Sequence, residues 1–422
     1  MVRIHEASSA TIAALCACAC AFLAQGVQAG LSASLGLSPN NLQKNGIAMG
    51  FLPAWGEPMS PNTATTLNNL LPEPMSIMGA YSQILSSDPH MTQMDPYLND
   101  LLRQPGDKPV FQIALMPAEG LANVTQEVAD RIADKMASIN AQGITVWLRY
   151  AHEMNGEWYA WGHQPEAFIA SWNMVTAAVR AKAPDTYMLW SPNSMYNNDN
   201  NISDPHGGYT PYWPGKDNVD IVGLSFYHYG GFERLNNWPT PGEALRVMQE
   251  FDQLYGSAQE KPVILSETAA AFTRDATTFE AAPGNATENQ IKWDWLWQIT
   301  GPEIREALPY YRALCWFEVM KNENAAGNSA IKTEDFRVLT GNGTIGLRSR
   351  NYFASASLVT NYVQPPISLQ GSLMNSSAND SSSNVTATIT PESSSNAQSL
   401  FSHYLLAGFS VIFAFAWLVD SI

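Results

Sequence analysis

The stretch ITVWLRYAHE, residues 144–153, decides the fold. It is a short, near-continuous apolar run that ends abruptly in a histidine and a glutamate. A strand that is apolar on both faces belongs in a parallel sheet covered by helices on each side. Seven further runs read the same way: GIAMGFLP from Gly46, SIMGAY from Ser76, PVFQIALMP from Pro109, TYMLWSPN from Thr186, DIVGLSFYHY from Asp220, PVILSETAA from Pro262 and ALCWFEVM from Ala313. Between many of them lie helix-period stretches, clearest at residues 124–142, 165–183, 241–256 and 286–299. Several of these open with Pro or with an acidic first turn, as helix N-termini prefer. Eight apolar strands, most of them separated by a helix, predict an α/β fold of the (β/α)8 TIM-barrel type with loop insertions. The competing open, doubly wound sheet is disfavoured because no Gly-rich phosphate loop follows the first strand. No internal repeat is visible.

The barrel is expected over residues 30–364, because both ends of the 422-residue chain differ in composition. Residues 1–29 read as a secretory signal peptide, with Arg3 in front, an apolar stretch over 11–24 and a small-residue exit at Val27-Gln28-Ala29. Cys16, Cys18 and Cys20 would leave with it, so Cys315 is the one thiol of the mature chain and is read as buried and inert. Residues 365–397 are rich in Ser, Asn and Thr and read as a glycosylated stalk. Residues 398–422 carry a terminal apolar segment preceded by a polar spacer and small residues, the pattern of a glycosylphosphatidylinositol attachment signal. The rival for this tail is a transmembrane helix, which lacks a basic cytoplasmic flank. Seven Asn-x-Ser/Thr sequons, at Asn123, Asn201, Asn285, Asn342, Asn375, Asn379 and Asn384, agree with a secreted glycoprotein at the cell surface, lipid-anchored to the membrane or held in the wall. A formal net charge of -16 argues against nucleic acid, whose phosphates need Lys and Arg. Neutral polymers fit.

In such a barrel the chemistry gathers where the strands end at their C-terminal side. Glu153 closes the fourth apolar run and Glu267 the seventh, and carboxylates on those two strands can face each other across the barrel mouth. Glycoside hydrolysis uses such a pair, one protonating the leaving oxygen and the other attacking the anomeric carbon. Either Glu alone would read as a solvated loop residue; the pair is harder to dismiss. A zinc-peptidase reading of His152-Glu153 fails, since the position one helical turn on holds Gly156 in place of a second His. No metal and no cofactor is expected.

The stretch LRYAHEMNGEWYAWG, residues 148–162, resembles the acid/base region of glycoside hydrolase family 26, best known for endo-β-1,4-mannanases, and PVILSET resembles that family's nucleophile strand. The resemblance implies Glu153 as acid/base and Glu267 as nucleophile, with Arg149 and His152 shaping the subsite of the attacked sugar and Tyr227 hydrogen-bonding the nucleophile. Trp55, Trp158, Trp161 and Trp316 fall near strand ends, where indole faces can stack on sugar rings; core packing is the plainer alternative for each. Two departures touch the substrate: Ser225 stands where mannanases of the family often have Asp, and no Arg follows Trp316. The expected activity is that of a retaining endo-β-glycanase, a monomer acting on β-mannan. The alternatives are a β-glucanase of the same fold or a non-catalytic glycan-binding wall protein.

Overall fold

The computed structural model describes residues 34–194, 203–204, 207–230, 236–324, 331–360, 364–367 and 369. The expected secretory signal, the expected stalk apart from residues 365–367 and 369, the expected attachment signal and four of the sequons, at Asn201, Asn375, Asn379 and Asn384, lie outside the described residues. Among those described, no helix is long and apolar enough to cross a membrane.

All eight apolar runs form strands: β1 Ile47–Pro53, β2 Ile77–Gln83, β3 Val110–Met116, β4 Val146–Tyr150, β5 Thr186–Trp190, β6 Ile221–His228, β7 Val263–Ala270 and β8 Tyr311–Glu318. Each pairs in parallel with its neighbours, and β8 pairs with β1 to close the barrel. Closure leaves the parallel ladder without an edge. Among the described residues the α-helices are α1 Ala64–Asn68, α2 Asp95–Arg103, α3 Gln126–Asn140, α4 Pro165–Lys182, α5 Glu243–Phe251, α6 Glu288–Thr300, α7 Pro302–Ala307 and α8 Gly343–Ala354. The start of α6 follows from its sequence: Thr287 and Gln290 form a reciprocal capping box, satisfying backbone donors that a helix start leaves open. Between β5 and β6 the described residues hold only short 3-10 turns.

The floor of the barrel is a ring to which every strand gives one side chain: Ala48, Ile77, Val110, Trp147, Leu189, Ile221, Ile264 and Ala313. Leu35 plugs it from below, and its carbonyl accepts the Trp147 indole N–H at 3.0 Å. One step up each strand the lining becomes small and polar. Gly79 is required there, because a Cβ would stand 2.8 Å from Cys315 Sγ. Cys315 is buried, and burial pushes its thiol well above the ordinary range, which keeps it un-ionised.

At the C-terminal end a small antiparallel sheet stands on the rim. Its strands are Phe272–Asp275, one residue beyond β7, Met320–Asn324, one residue beyond β8, and Ile331–Asp335 between them in space.

Candidate active site

The polar layer above the floor is organised by Arg149, the inward-facing residue of β4 that follows Trp147. It is fully buried, and every arm of its guanidinium is engaged. Nε donates to Ser191 Oγ at 2.9 Å, Nη1 to Glu267 Oε2 and Nη2 to Ser225 Oγ, while Glu153 Oε1 lies 3.9 Å from Nη2. Burial opposes its charge, but Glu267 and Glu153 outweigh that and hold the guanidinium above its ordinary range. One cation thus gathers both carboxyl groups singled out in the sequence. One comes from the turn after β4 and the other from β7, three strands on around the barrel, and only 7% of Glu153 and 6% of Glu267 is exposed.

Glu267 reaches the interior through an irregularity. Ser225 of β6 faces Glu267 and Leu224 faces Leu265, so β7 carries one extra residue; the ladder with β8 slips at the same point. Such a bulge re-aims side chains at barrel rims. Here Ser266 and Glu267, adjacent in sequence, both turn inward: Ser266 Oγ lies 2.6 Å from Ser191 Oγ, and Glu267 meets Arg149. Tyr227 donates its hydroxyl to Glu267 Oε1 at 2.5 Å. Burial and the Glu267 charge push the Tyr227 phenol well above its ordinary range, so it remains a donor. Tyr81, from β2, also interacts with Glu267.

Glu153 is placed differently. β4 ends at Tyr150, so Glu153 stands three residues past the strand, in a turn where Ala151 (φ 46°) and Glu153 (φ 54°) both adopt left-handed backbone. Each such residue costs on the order of 1–3 kcal/mol, and clustered strain of this kind marks functional sites. The turn is pinned by the Glu153 N–H to Ser191 O bond, 2.8 Å, and by Asn155, whose amide bonds both the N–H and the carbonyl of Asn193. The glycines of the motif permit close approach. A Cβ on Gly156 would lie 2.3 Å from the Trp158 ring, and one on Gly162 would lie 2.0 Å from the carbonyl oxygen of Gly156. That folding brings Trp158 back so that its Nε1 donates to Glu153 Oε2 at 2.8 Å. Burial, then the neighbouring Glu267 charge, raise the Glu153 carboxyl above the usual carboxylate range; Arg149, Ser225 and Trp158 pull against them. A raised carboxyl beside a well-donated one is the separation of roles that acid and nucleophile require.

His152 is 1% exposed, enclosed by the rings of Tyr81, Tyr159 and Trp161 at centroid distances of 5.9, 5.2 and 5.8 Å. Burial, assisted by Arg149, lowers its pKa well below the ordinary value, so the ring is neutral. Neither ring nitrogen has a hydrogen-bond partner among the described residues. Trp55 is half-buried on the rim against Tyr97.

Two expectations are corrected. Trp316 points away from the barrel interior, is wholly buried and donates Nε1 to Phe336 O at 2.9 Å, so it offers no face to a sugar. The interior position belongs to the next residue, Phe317, packed edge-on to Tyr227 at 6.0 Å. The parity of β8 could have shown this, since Ala313, Cys315 and Phe317 share one face. Trp161 is 2% exposed, stacked behind Tyr159 at 4.2 Å with its N–H on His152 O; it supports the turn from behind. Trp158, considered for stacking, instead makes a polar contact to Glu153.

Among the described residues no group of three His, Cys, Asp or Glu side chains gathers to hold a metal. A cavity of about 270 Å3 opens at the opposite, N-terminal end of the barrel, bordered by Leu35, Gln43 and Arg312; no carboxylate lines it.

Fold and site together define a (β/α)8 barrel that holds two nearly buried carboxyl groups on one guanidinium at its mouth. The family model described as Glycosyl hydrolase family 26 matches residues 113–242, a span that holds Arg149, His152, Glu153 and Tyr227 but ends before Glu267. The family likeness carried by the motifs is therefore also found by comparison of the sequence with that family. Among curated proteins, the chain is 29% identical over 157 residues to an endoglucanase H of Acetivibrio thermocellus, covering 34% of this chain and 16% of that protein. It is 30% identical over 112 residues to a mannan endo-1,4-beta-mannosidase of Caldalkalibacillus mannanilyticus, covering 24% and 20%. The chain thus spans a fifth or less of the length of these two relatives. A modular endo-beta-1,4-mannanase from Cellulomonas fimi shares the fold with a TM-score of 0.50 at 12% identity, over 78% of this chain and 76% of its own.

Proposed function

We propose that this protein is a retaining endo-β-glycanase that hydrolyses β-mannan, with Glu153 as acid/base and Glu267 as nucleophile. The observation that carries the reading is the single buried cluster at the barrel mouth, in which Arg149 joins both carboxyl groups and Tyr227 donates to one of them. In the first step a Glu267 oxygen attacks the anomeric carbon. The bond to the leaving oxygen breaks, and that oxygen takes the proton of Glu153. In the second step water gives a proton to the Glu153 carboxylate and its oxygen attacks the same carbon. The ester to Glu267 breaks, and the sugar leaves with its original configuration. Tyr227 and Arg149 hold and stabilise the Glu267 carboxylate between turnovers, while burial and the Glu267 charge favour the protonated form of Glu153.

A β-glucan substrate is the second reading. It is favoured by Ser225 at a position where the family's mannanases often have Asp, and by the likeness to an endoglucanase. The enzyme is proposed to work at the cell surface, the secretory signal and attachment signal placing it there on a glycosylated stalk. Release from intact cells by phosphatidylinositol-specific phospholipase C tests that placement; resistance to release would contradict it.

The purified ectodomain, incubated with mannans, β-glucans and xylans, is expected to release oligosaccharides, fastest from β-mannan, with the β-anomer formed first by NMR. Glu267→Ala should lose turnover and regain it with azide, giving a glycosyl azide of inverted configuration. Binding to glycan without turnover on any polymer would overturn the enzymatic reading in favour of a glycan-binding wall protein.

A further inference from the structure

The small sheet on the rim carries an arrangement that the two-carboxylate chemistry does not use. Its register sets Lys321 opposite Glu334 and Glu323 opposite Lys332, so four charges of alternating sign form a square on one face. Lys321 pairs with Glu323 along the strand, Lys332 pairs with Glu334, and Lys332 Nζ lies 3.8 Å from Glu323. Glu334 is wholly buried and Lys332 6% exposed, while the two outer members are half-buried. The opposite face secures the sheet separately: Asp335 binds Lys292 of α6 at 3.1 Å, and Arg274 binds Glu288 at 3.2 Å. Holding the sheet therefore does not require the square, and apolar residues would cover its face at lower desolvation cost.

The position of the square is that of a cleft wall. Lys321 Nζ stands 5.3 Å from the centre of the Phe317 ring and 5.8 Å from that of Phe336. Both rings touch Tyr227, which donates to Glu267. The charges are thus one aromatic layer above the carboxylate pair. Lys321 acts on Glu57, which follows the neighbouring strand β1, and across the mouth Glu323 acts on Tyr159 in the turn after β4. Two Lys supply donors only and two ionised Glu supply acceptors only, with no net charge. Neighbouring hydroxyls of a neutral sugar, each both donor and acceptor, match such a surface; a uronic acid would leave its carboxylate facing a cation already neutralised.

We infer that Lys321 and Glu323 bind the hydroxyl groups of a neutral sugar unit adjoining the one that is attacked, with Lys332 and Glu334 as positioning residues behind them. This rests on the glycanase reading and extends it to a second subsite. The test compares Glu323→Gln, Lys321→Met and the conservative Lys321→Arg with the wild type on β-mannan and on a dinitrophenyl β-mannoside, whose single sugar fills only the attacked position. Loss of a hydrogen bond to a charged group, about 1.5–3 kcal/mol, corresponds to a fall of roughly 10- to 150-fold in kcat/KM on the polymer. The effect should appear mainly in KM, be smaller in Lys321→Arg, and leave the aryl glycoside within about twofold of wild type. Equal losses on both substrates, or no loss on either, would overturn the subsite. The same variants are titrated with mannohexaose by calorimetry. If the wild type turns over neither substrate, the glycanase reading fails while the subsite stands or falls on whether Glu323→Gln weakens that binding. Thermal midpoints show that each variant is folded; should Glu323→Gln not be, Lys321→Met decides by the same criteria.

Discussion

The two ends of the barrel interior are built on opposed terms. At the floor, eight strands contribute one apolar side chain each around Leu35, and the one polar atom of note, the Trp147 indole nitrogen, has its partner. At the mouth, two nearly buried carboxyl groups share one buried guanidinium, Ala151 and Glu153 hold left-handed backbone on either side of His152, and among the described residues the two ring nitrogens of His152 have no partner. The floor gains free energy by burial, whereas the mouth spends it on desolvated charge and strain. Substitutions at one end should therefore change stability with little effect on chemistry, and those at the other should do the reverse.

The sharpest way to break this contrast is Glu267→Gln, which preserves shape but removes the carboxylate proposed as nucleophile. Turnover on polysaccharide is expected to fall by on the order of 10^4 or more, with the far-UV spectrum and the cooperativity of unfolding retained. Next is Trp147→Ala at the floor. It should destabilise the barrel by about 3–5 kcal/mol, read from denaturant unfolding, while kcat measured well below the melting transition stays near that of the wild type. A Trp147 variant that keeps its stability but loses activity would show that the two ends are not separable.

Legibility in the sequence followed the same division. The floor and the strand order were readable because each strand is an uninterrupted apolar run, and the inward residue of each belongs to that run. Glu153 is legible as the end of an apolar run, whereas Arg149 and His152 are legible only through the family resemblance of a short local motif. The inward turn of Glu267 was not derivable from alternation. In ILSET, Ile264 and Ser266 take one face and a regular strand would put Glu267 on the other; only the bulge reverses it. Trp316 misled because a large aromatic at a strand end suits a sugar platform as well as a helix-facing core, and the parity that distinguishes them starts from a neighbour, Ala313, with little side chain to signal its face. The charged square was invisible for another reason: its partners lie on two strands whose register no local pattern states.

A third, smaller effect concerns pH. Because the folded state raises the Glu153 carboxyl, the native protein holds that proton more tightly than the unfolded chain does. Its contribution to stability is complete below the unfolded value, about 4.3, and declines as pH rises from there through the folded value. Glu153→Gln removes this decline, so the variant should be the more stable form at pH 7, by about 0.5–2 kcal/mol, and the two unfolding free energies should converge toward pH 4. A variant less stable than wild type at pH 7 would mean that attraction to Arg149 outweighs burial and the Glu267 charge.

The smallest expected effect isolates one hydrogen bond. The Trp158 indole donates to Glu153 Oε2 at 2.8 Å, and a donor to a carboxyl group favours its ionised form. Trp158→Phe retains an aromatic ring beside Gly156 but deletes the donor, so the Glu153 carboxyl should rise further. If Glu153 is the group that must be protonated for the first step, the alkaline limb of the kcat/KM profile will move to higher pH, by less than about one unit, since a single hydrogen bond to a charged group contributes about 1.5–3 kcal/mol before water replaces part of it. The acid limb should stay within about 0.2 units, because the hydrogen bond that the substitution deletes is the one made to Glu153. Movement of the alkaline limb to lower pH would show that the ring mainly keeps water from Glu153. Movement of both limbs together would show that the turn, and with it the whole mouth, had relaxed.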